Sequence, residues 1–244
     1  MGESVQSHGW LNAVINLFDI SAIVWLAIAA GLGLLWHQGK PDLPTQIDWL
    51  LAGAAILAAL APLPPLSGAA LSGVALWGWL ASPAHSSARR AAAIFLSLST
   101  FLFWGRIFLA LGAGPLLSAD AAFVSLISGM PAFGNVLQFT DGTRFVIAPG
   151  CSSLHGISLA LILWTTAVAW FDYRITTRLR WTLALAVLAS VLVNGVRLTM
   201  IAWYPKDFDY WHVGLGATCF GWMSLIVITA VVYRGTLDQS RADG

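Results

Sequence analysis

Charged residues are scarce. Asp, Glu, Lys and Arg make up 9% of the 244 residues, against about a quarter in a soluble domain, which excludes a water-soluble globular fold. A net charge of +1 points to no acidic partner, and no nucleic-acid partner is expected. The two cysteines, Cys151 and Cys219, are too few for a disulfide framework. No C-x-x-C or His-x-x-x-His pair suggests a metal, and neither a metal nor an organic cofactor is expected. A phosphate-binding glycine loop, a coherent transport repeat and the Ser-His-Asp signature of soluble hydrolases are also missing. Residues 1–20 lack a basic start and a small-residue cleavage site. No cleaved signal peptide is therefore expected, and the first apolar run would act as an uncleaved insertion signal.

What the chain has is apolar length. Hydrophobic residues make up 58%, in blocks near the ~20 residues that cross a bilayer as a helix. The pattern predicts an all-α polytopic membrane protein with about seven transmembrane helices, at 19–36, 48–61, 66–81, 88–111, 151–171, 181–203 and 212–233. The second and third are short and Gly/Ala-rich, joined by Pro62, Pro64 and Pro65, so a tilted or re-entrant hairpin is the alternative there. Residues 112–150 form the one long stretch without a span. Leu116, Leu117, Ala121, Phe123, Val124, Leu126 and Ile127 make one apolar face of a helix lying in the interface, which Gly129, Met130 and Pro131 end. Residues 135–139 and 143–147 alternate like half-buried strands around Asp141-Gly142, a type I′ turn signal. A hairpin with open edges cannot face lipid, so it is expected to roof the helix ends.

Basic residues orient the chain. Lys40, Arg89, Arg90, Arg174, Arg178, Arg180, Arg234 and Arg241 fall on one side of seven alternating spans. By the positive-inside rule that side is the cytoplasm. The hairpin and Cys151 then face outward, which in a bacterial inner membrane is the periplasm.

Three groups converge on that outer face. Cys151, with Ser152 and Ser153, is expected in the first turn of the fifth span, after Pro149 and Gly150. Unpaired N–H groups and the positive helix end there would favour a thiolate. A small apolar residue at a helix end is the plainer reading. Arg197 lies inside the sixth span, where a guanidinium needs a partner or a wet cavity, or else snorkels to the headgroups. Asn194 is three residues earlier on the same helical face. His212 opens the seventh span beside aromatic residues, as an acid/base or as an interfacial anchor. Together they suit thiol catalysis: Cys151 attacks a carbonyl, His212 moves the proton, and Arg197 stabilises an oxyanion or holds a carboxylate. The N–H groups of Ser152 or Ser153 would add to the oxyanion site. His155, four residues after Cys151, competes with His212 for the role of base. Arg106 is a candidate to line the cavity or pair with Asp120, and Cys219 reads as packing. The alternative class is a transporter or lipid-binding protein holding an anionic headgroup with Arg197 and His212.

The same residues resemble a known family. Gly129-Met130-Pro131-Ala132-Phe133-Gly134, the hairpin, and Ala148-Pro149-Gly150-Cys151-Ser152-Ser153-Leu154-His155-Gly156 are similar to the Cys block of the exosortase/archaeosortase family. Asn194-Gly195-Val196-Arg197 resembles its Asn-x-x-Arg block, and His212 with Gly214 and Gly216 its His block. The resemblance spans residues 123–228. Hydropathy alone gives the four N-terminal spans over 1–112, and the resemblance implies a catalytic region over 113–244. It further implies an integral-membrane cysteine transpeptidase or protease whose partners are exported proteins with a C-terminal Pro-Glu-Pro-like motif, a spanning helix and a basic tail. By position Cys151 would be the nucleophile, Arg197 the second member and His212 the acid/base. The chain departs from the family's common Cys-Ser-Gly-Leu-Arg at two places, where Ser153 and His155 stand.

Overall fold

The computed structural model of the chain describes residues 20–37, 44–61, 63–139 and 142–243. The chain divides into two compact units. One joins Met1–Ser99 to Thr165–Tyr173, and the other joins Thr100–Trp164 to Arg174–Gly244.

The first unit holds helices α1 (Ala22–Trp36), α2 (Gln46–Leu60), α3 (Pro64–Ala81) and α4 (Ser87–Ser99). Two of them start at side-chain caps. The Ser21 hydroxyl caps α1 by accepting the Ile23 N–H. Thr45 and Asp48 form a reciprocal capping box on α2. The same Asp48 accepts the Trp77 indole N–H at 2.8 Å, tying α2 to α3. Gly31 admits the Phe95 ring where a Cβ would stand 2.8 Å from it, so α1 and α4 approach closely. Arg90 donates to the Ala169 carbonyl at 3.1 Å and pairs with Asp172.

The second unit begins with a five-residue π-helical segment, Thr100–Trp104, followed by α5 (Gly105–Ser128). The predicted fourth span and the predicted interfacial helix are thus corrected to a helical run that continues to Ser128. Gly112, at φ −151° and ψ 29°, breaks that run. Pro115 follows the break, where its missing N–H costs no intrahelical bond. Gly129 at φ 75° ends α5 in the left-handed conformation.

The expected hairpin is a three-stranded antiparallel meander, β1 (Ala132–Phe133), β2 (Val136–Gln138) and β3 (Arg144–Val146). Leu137 pairs with Phe145, and both point into the core. Strand β1 went unread in the sequence, although Gly134-Asn135 is a two-residue turn signal and Gly134 takes φ 60°. The β2–β3 turn also differs from expectation. Gly142 donates its N–H to the Phe139 carbonyl and has φ 84°, so it closes the turn as a left-handed glycine rather than filling its centre. Asp141 lies outside the described residues.

Helices α6 (Leu154–Trp170), α7 (Thr177–Trp203), α8 (Phe208–His212) and α9 (Leu215–Asp243) complete the chain. Thr176 caps α7 and also donates to Gln239 Oε1 of α9 at 2.9 Å. Arg178 pairs with Asp238, and the Trp164 indole donates to the Leu179 carbonyl. The sheet packs on α5 and α7 through one core of Leu117, Ala121, Val124, Leu137, Phe145, Ile147, Leu198 and Ile201, with Cys151 at its edge. Among the described residues α5, α7 and α9 (through Gln239) are long and apolar enough to cross a membrane, while α1, α2, α3 and α6 are shorter apolar helices. The 15 residues of α1 or α2 would span roughly 22 Å, short of the ~30 Å hydrocarbon core.

Candidate active site

Local chemistry places Cys151 in a turn and not in a helix. Pro149–Cys151 form a single 3-10 turn, Ser152 is extended at φ −69° and ψ 158°, and α6 starts only at Leu154. This corrects the expected placement of Cys151, Ser152 and Ser153 in the first turn of the fifth span. Their N–H groups are all engaged. Cys151 donates to the Ala148 carbonyl at 2.9 Å, Ser152 to the Pro149 carbonyl at 3.3 Å and Ser153 to Asp120 Oδ2 at 3.0 Å. The sequence suggested that the Ser152 or Ser153 amide would add to the oxyanion site, but both N–H groups are already bonded. Asp120 already occupies the positive end of α6.

His212 closes the short helix α8 instead of opening the last span, which corrects a second expectation. Its Nε2 lies 3.1 Å from Cys151 Sγ. The ring is held by stacking on Phe208, with centroids 4.7 Å apart and planes at 18°. Phe208 in turn meets Phe145 of β3 edge-on at 6.1 Å. The break after α8 needs small residues. A Cβ on Gly214 would stand 3.0 Å from the Tyr210 carbonyl oxygen, and one on Gly216 2.6 Å from the Trp211 ring.

Helix α7 brings two more groups. Asn194 Nδ2 donates to the Cys151 carbonyl at 3.0 Å. Arg197 is within electrostatic reach of both Cys151 and His155. Its Nε is buried without a hydrogen-bond partner. A cavity of about 110 Å³ opens beside the turn, with Ser152, His155, Ser190, Asn194, Arg197 and Ser224 supplying its polar lining. The two histidines thus have different places: His212 meets the sulfur, and His155 lines the cavity with Arg197. Cys219 is a free, exposed thiol, and the ion pairs among the described residues do not join Arg106 to Asp120.

A thiol, an imidazole in hydrogen-bond contact with it and a nearby guanidinium can generate a thiolate, attack a carbonyl and hold developing negative charge. A family model described as transmembrane exosortase matches residues 10–229. The chain belongs to the transmembrane exosortase family. No curated protein and no solved structure matches it. Family membership makes this exosortase a multi-pass membrane protein and implies a protein-sorting transpeptidase of the cysteine type, with partners that carry sorting signals.

Sequence reasoning on this exosortase missed two contributors to the site. Asp120 was weighed only as a partner for Arg106, and Phe208 was not singled out. The signal for Asp120 was a lone carboxylate on an otherwise apolar helix face, flanked by Leu117, Ala121 and Val124, which are buried with it.

Proposed function

We propose that this exosortase is an integral-membrane cysteine transpeptidase or protease that cleaves the C-terminal sorting signal of exported proteins at the outer face of the plasma membrane. Cys151, His212 and Arg197 carry the reaction, and Asn194 supports it. The observation that carries the reading is the 3.1 Å contact between Cys151 Sγ and His212 Nε2. In a bacterial inner membrane, Arg174 of the α6–α7 connection, with Arg178 and Arg180 in the first turn of α7, would lie in the cytoplasm, and the site would face the periplasm.

In the first step His212 Nε2 takes the thiol proton and the sulfur attacks the scissile carbonyl carbon. The C=O electron pair moves to oxygen, and the negative charge settles towards Arg197. The unsatisfied Nε of that side chain is a donor that needs no prior bond broken. Collapse of the adduct breaks the C–N bond, and His212 returns the proton to the leaving nitrogen. The tail departs with a new amino terminus, and the upstream protein is left as a thioester on Cys151. An acceptor amine or water then attacks the thioester, its proton passing through His212 to the departing sulfur. The substrate's own spanning helix docks against the bundle, which holds the peptide bond near the sulfur and lowers the entropy cost of attack.

The test is expression of Cys151→Ala beside a tagged exported substrate with a Pro-Glu-Pro-like motif, one spanning helix and a basic tail. The expected result is uncleaved substrate in the membrane. Removal of the tail at the wild-type rate would overturn the assignment of Cys151.

A further inference from the structure

The Cys151 turn has no helical ladder of its own. It spans four positions, Pro149 to Ser152, between the sheet and the first turn of α6. The local bonds within it run from Cys151 N–H to Ala148 and from Ser152 N–H and Oγ to Pro149. Besides the Cys151–His212 contact, two long-range bonds hold its backbone and that of Ser153. Asn194 of α7 donates to the Cys151 carbonyl at 3.0 Å, and Asp120 of α5 accepts the Ser153 N–H at 3.0 Å. They grip the backbone from two different helices, on either side of the reactive side chain.

We infer that Asp120 is a positioning residue for Cys151: its carboxylate clasps the Ser153 N–H and so holds the sulfur in register with His212. This deepens the proposed reaction and rests on it. Asp120 is 5% exposed and has Leu117, Ala121 and Val124 around it on α5, all buried. A carboxylate in apolar surroundings is unfavourable unless its oxygens are bonded. Ser153 N–H is the long-range donor that meets it. Where other helix starts carry a side-chain cap, it is local. Ser21, Thr45 and Thr176 each cap the helix that follows them in sequence. Asp120 reaches its amide across 33 residues of sequence. A remote cap couples the nucleophile's turn to α5, which a local serine would not do.

The chemistry needs an acceptor at this position more than it needs a charge. An asparagine carbonyl oxygen accepts an N–H in the same place, whereas alanine offers nothing. A misplacement of reacting groups by ~1 Å costs about 10²-fold in rate. Substrate docking through the spanning helix does not involve the clasp, so the loss falls on kcat.

The experiment uses the full chain in liposomes with the tagged substrate, and compares Asp120→Ala and Asp120→Asn with wild type at matched membrane levels and thermal midpoints. Asp120→Ala is expected to lower kcat by about 10- to 100-fold with KM within about twofold. Asp120→Asn is expected to restore kcat to within about threefold of wild type. Alkylation of Cys151 by iodoacetamide, with Cys219→Ala as background, supplies a readout without substrate, and Asp120→Ala should change its rate by at least about threefold. An Asp120→Ala protein with wild-type kcat and alkylation rate would sink the inference, as would an Asp120→Asn protein as impaired as His212→Ala. If Asp120→Ala does not accumulate, the Asp120→Asn result decides. Should Cys151→Ala still process substrate, the proposed function falls, while the alkylation comparison still reads the clasp.

Discussion

Gly195 lies between Asn194 and Arg197 on α7, and its replacement tests whether the site depends on close approach of α5 and α7. A Cβ built on Gly195 would overlap Cε1 and Cδ1 of the Phe123 ring. Carbon pairs rest at about 3.5–4.0 Å, so the methyl needs more than ~1 Å that the packing does not have. Overpacking of this kind costs about 1–3 kcal/mol. Alanine recovers about 1 kcal/mol of intrinsic helix preference over glycine, and with a clash this deep the net loss is about 2 kcal/mol. For a chain of this length that lowers the thermal midpoint by about 4–8 °C. The assay is thermal unfolding in detergent of Gly195→Ala, Phe123→Ala and the double variant. In the Phe123→Ala background the added methyl meets no ring, so Gly195→Ala should be neutral or mildly stabilising. Gly73, where a Cβ meets nothing within 4 Å, is the control, and Gly73→Ala should hold or raise the midpoint. Equal midpoints for Gly195→Ala and wild type, or equal losses with and without the Phe123 ring, would refute the packing argument. Because Asn194 and Arg197 flank the site of strain, Gly195→Ala should also slow processing, and Phe123→Ala should relieve part of that loss.

Two further outcomes follow from the same geometry. His212→Ala should lower the processing rate by about 10²–10⁴-fold through loss of proton transfer, with the protein still inserted and Cys151 still open to alkylation; a rate within threefold of wild type would move the base elsewhere, with His155 the first place to look. Thr45→Ala should lower the thermal midpoint by a few degrees, since the α2 capping box contributes about 1 kcal/mol, yet leave Cys151 alkylation unchanged; lost processing at an unaltered midpoint would contradict that.

Much of the fold was legible because its causes are local. The apolar helices were read from run length alone, and their caps at Ser21, Thr45 and Thr176 are local signals that went unread. Strands β2 and β3 follow from period-two alternation, but the Leu137–Phe145 register is one residue off what an Asp141-Gly142 turn would give. The Gly112 break was harder to place. Nothing in a run of Leu, Ala and Phe tells a spanning helix that ends from one that bends and continues. Strand β1 is only two residues long, below the length at which alternation can be read.

The sequence by itself determined that this is a multi-pass membrane protein, roughly where its apolar helices lie, and the order of Cys, Asn-x-x-Arg and His blocks that marks its family. Those properties depend on hydrophobic run length, turn chemistry and residue identity, none of which requires a partner distant in the chain. Only the tertiary structure decided which histidine meets the sulfur, that the Ser153 amide belongs to Asp120, and that Gly195 must stay small for Phe123 to pack. Each of those is a contact between side chains or backbone far apart in sequence, 61 residues apart for Cys151 and His212. Such a contact is set by how helices pack in three dimensions.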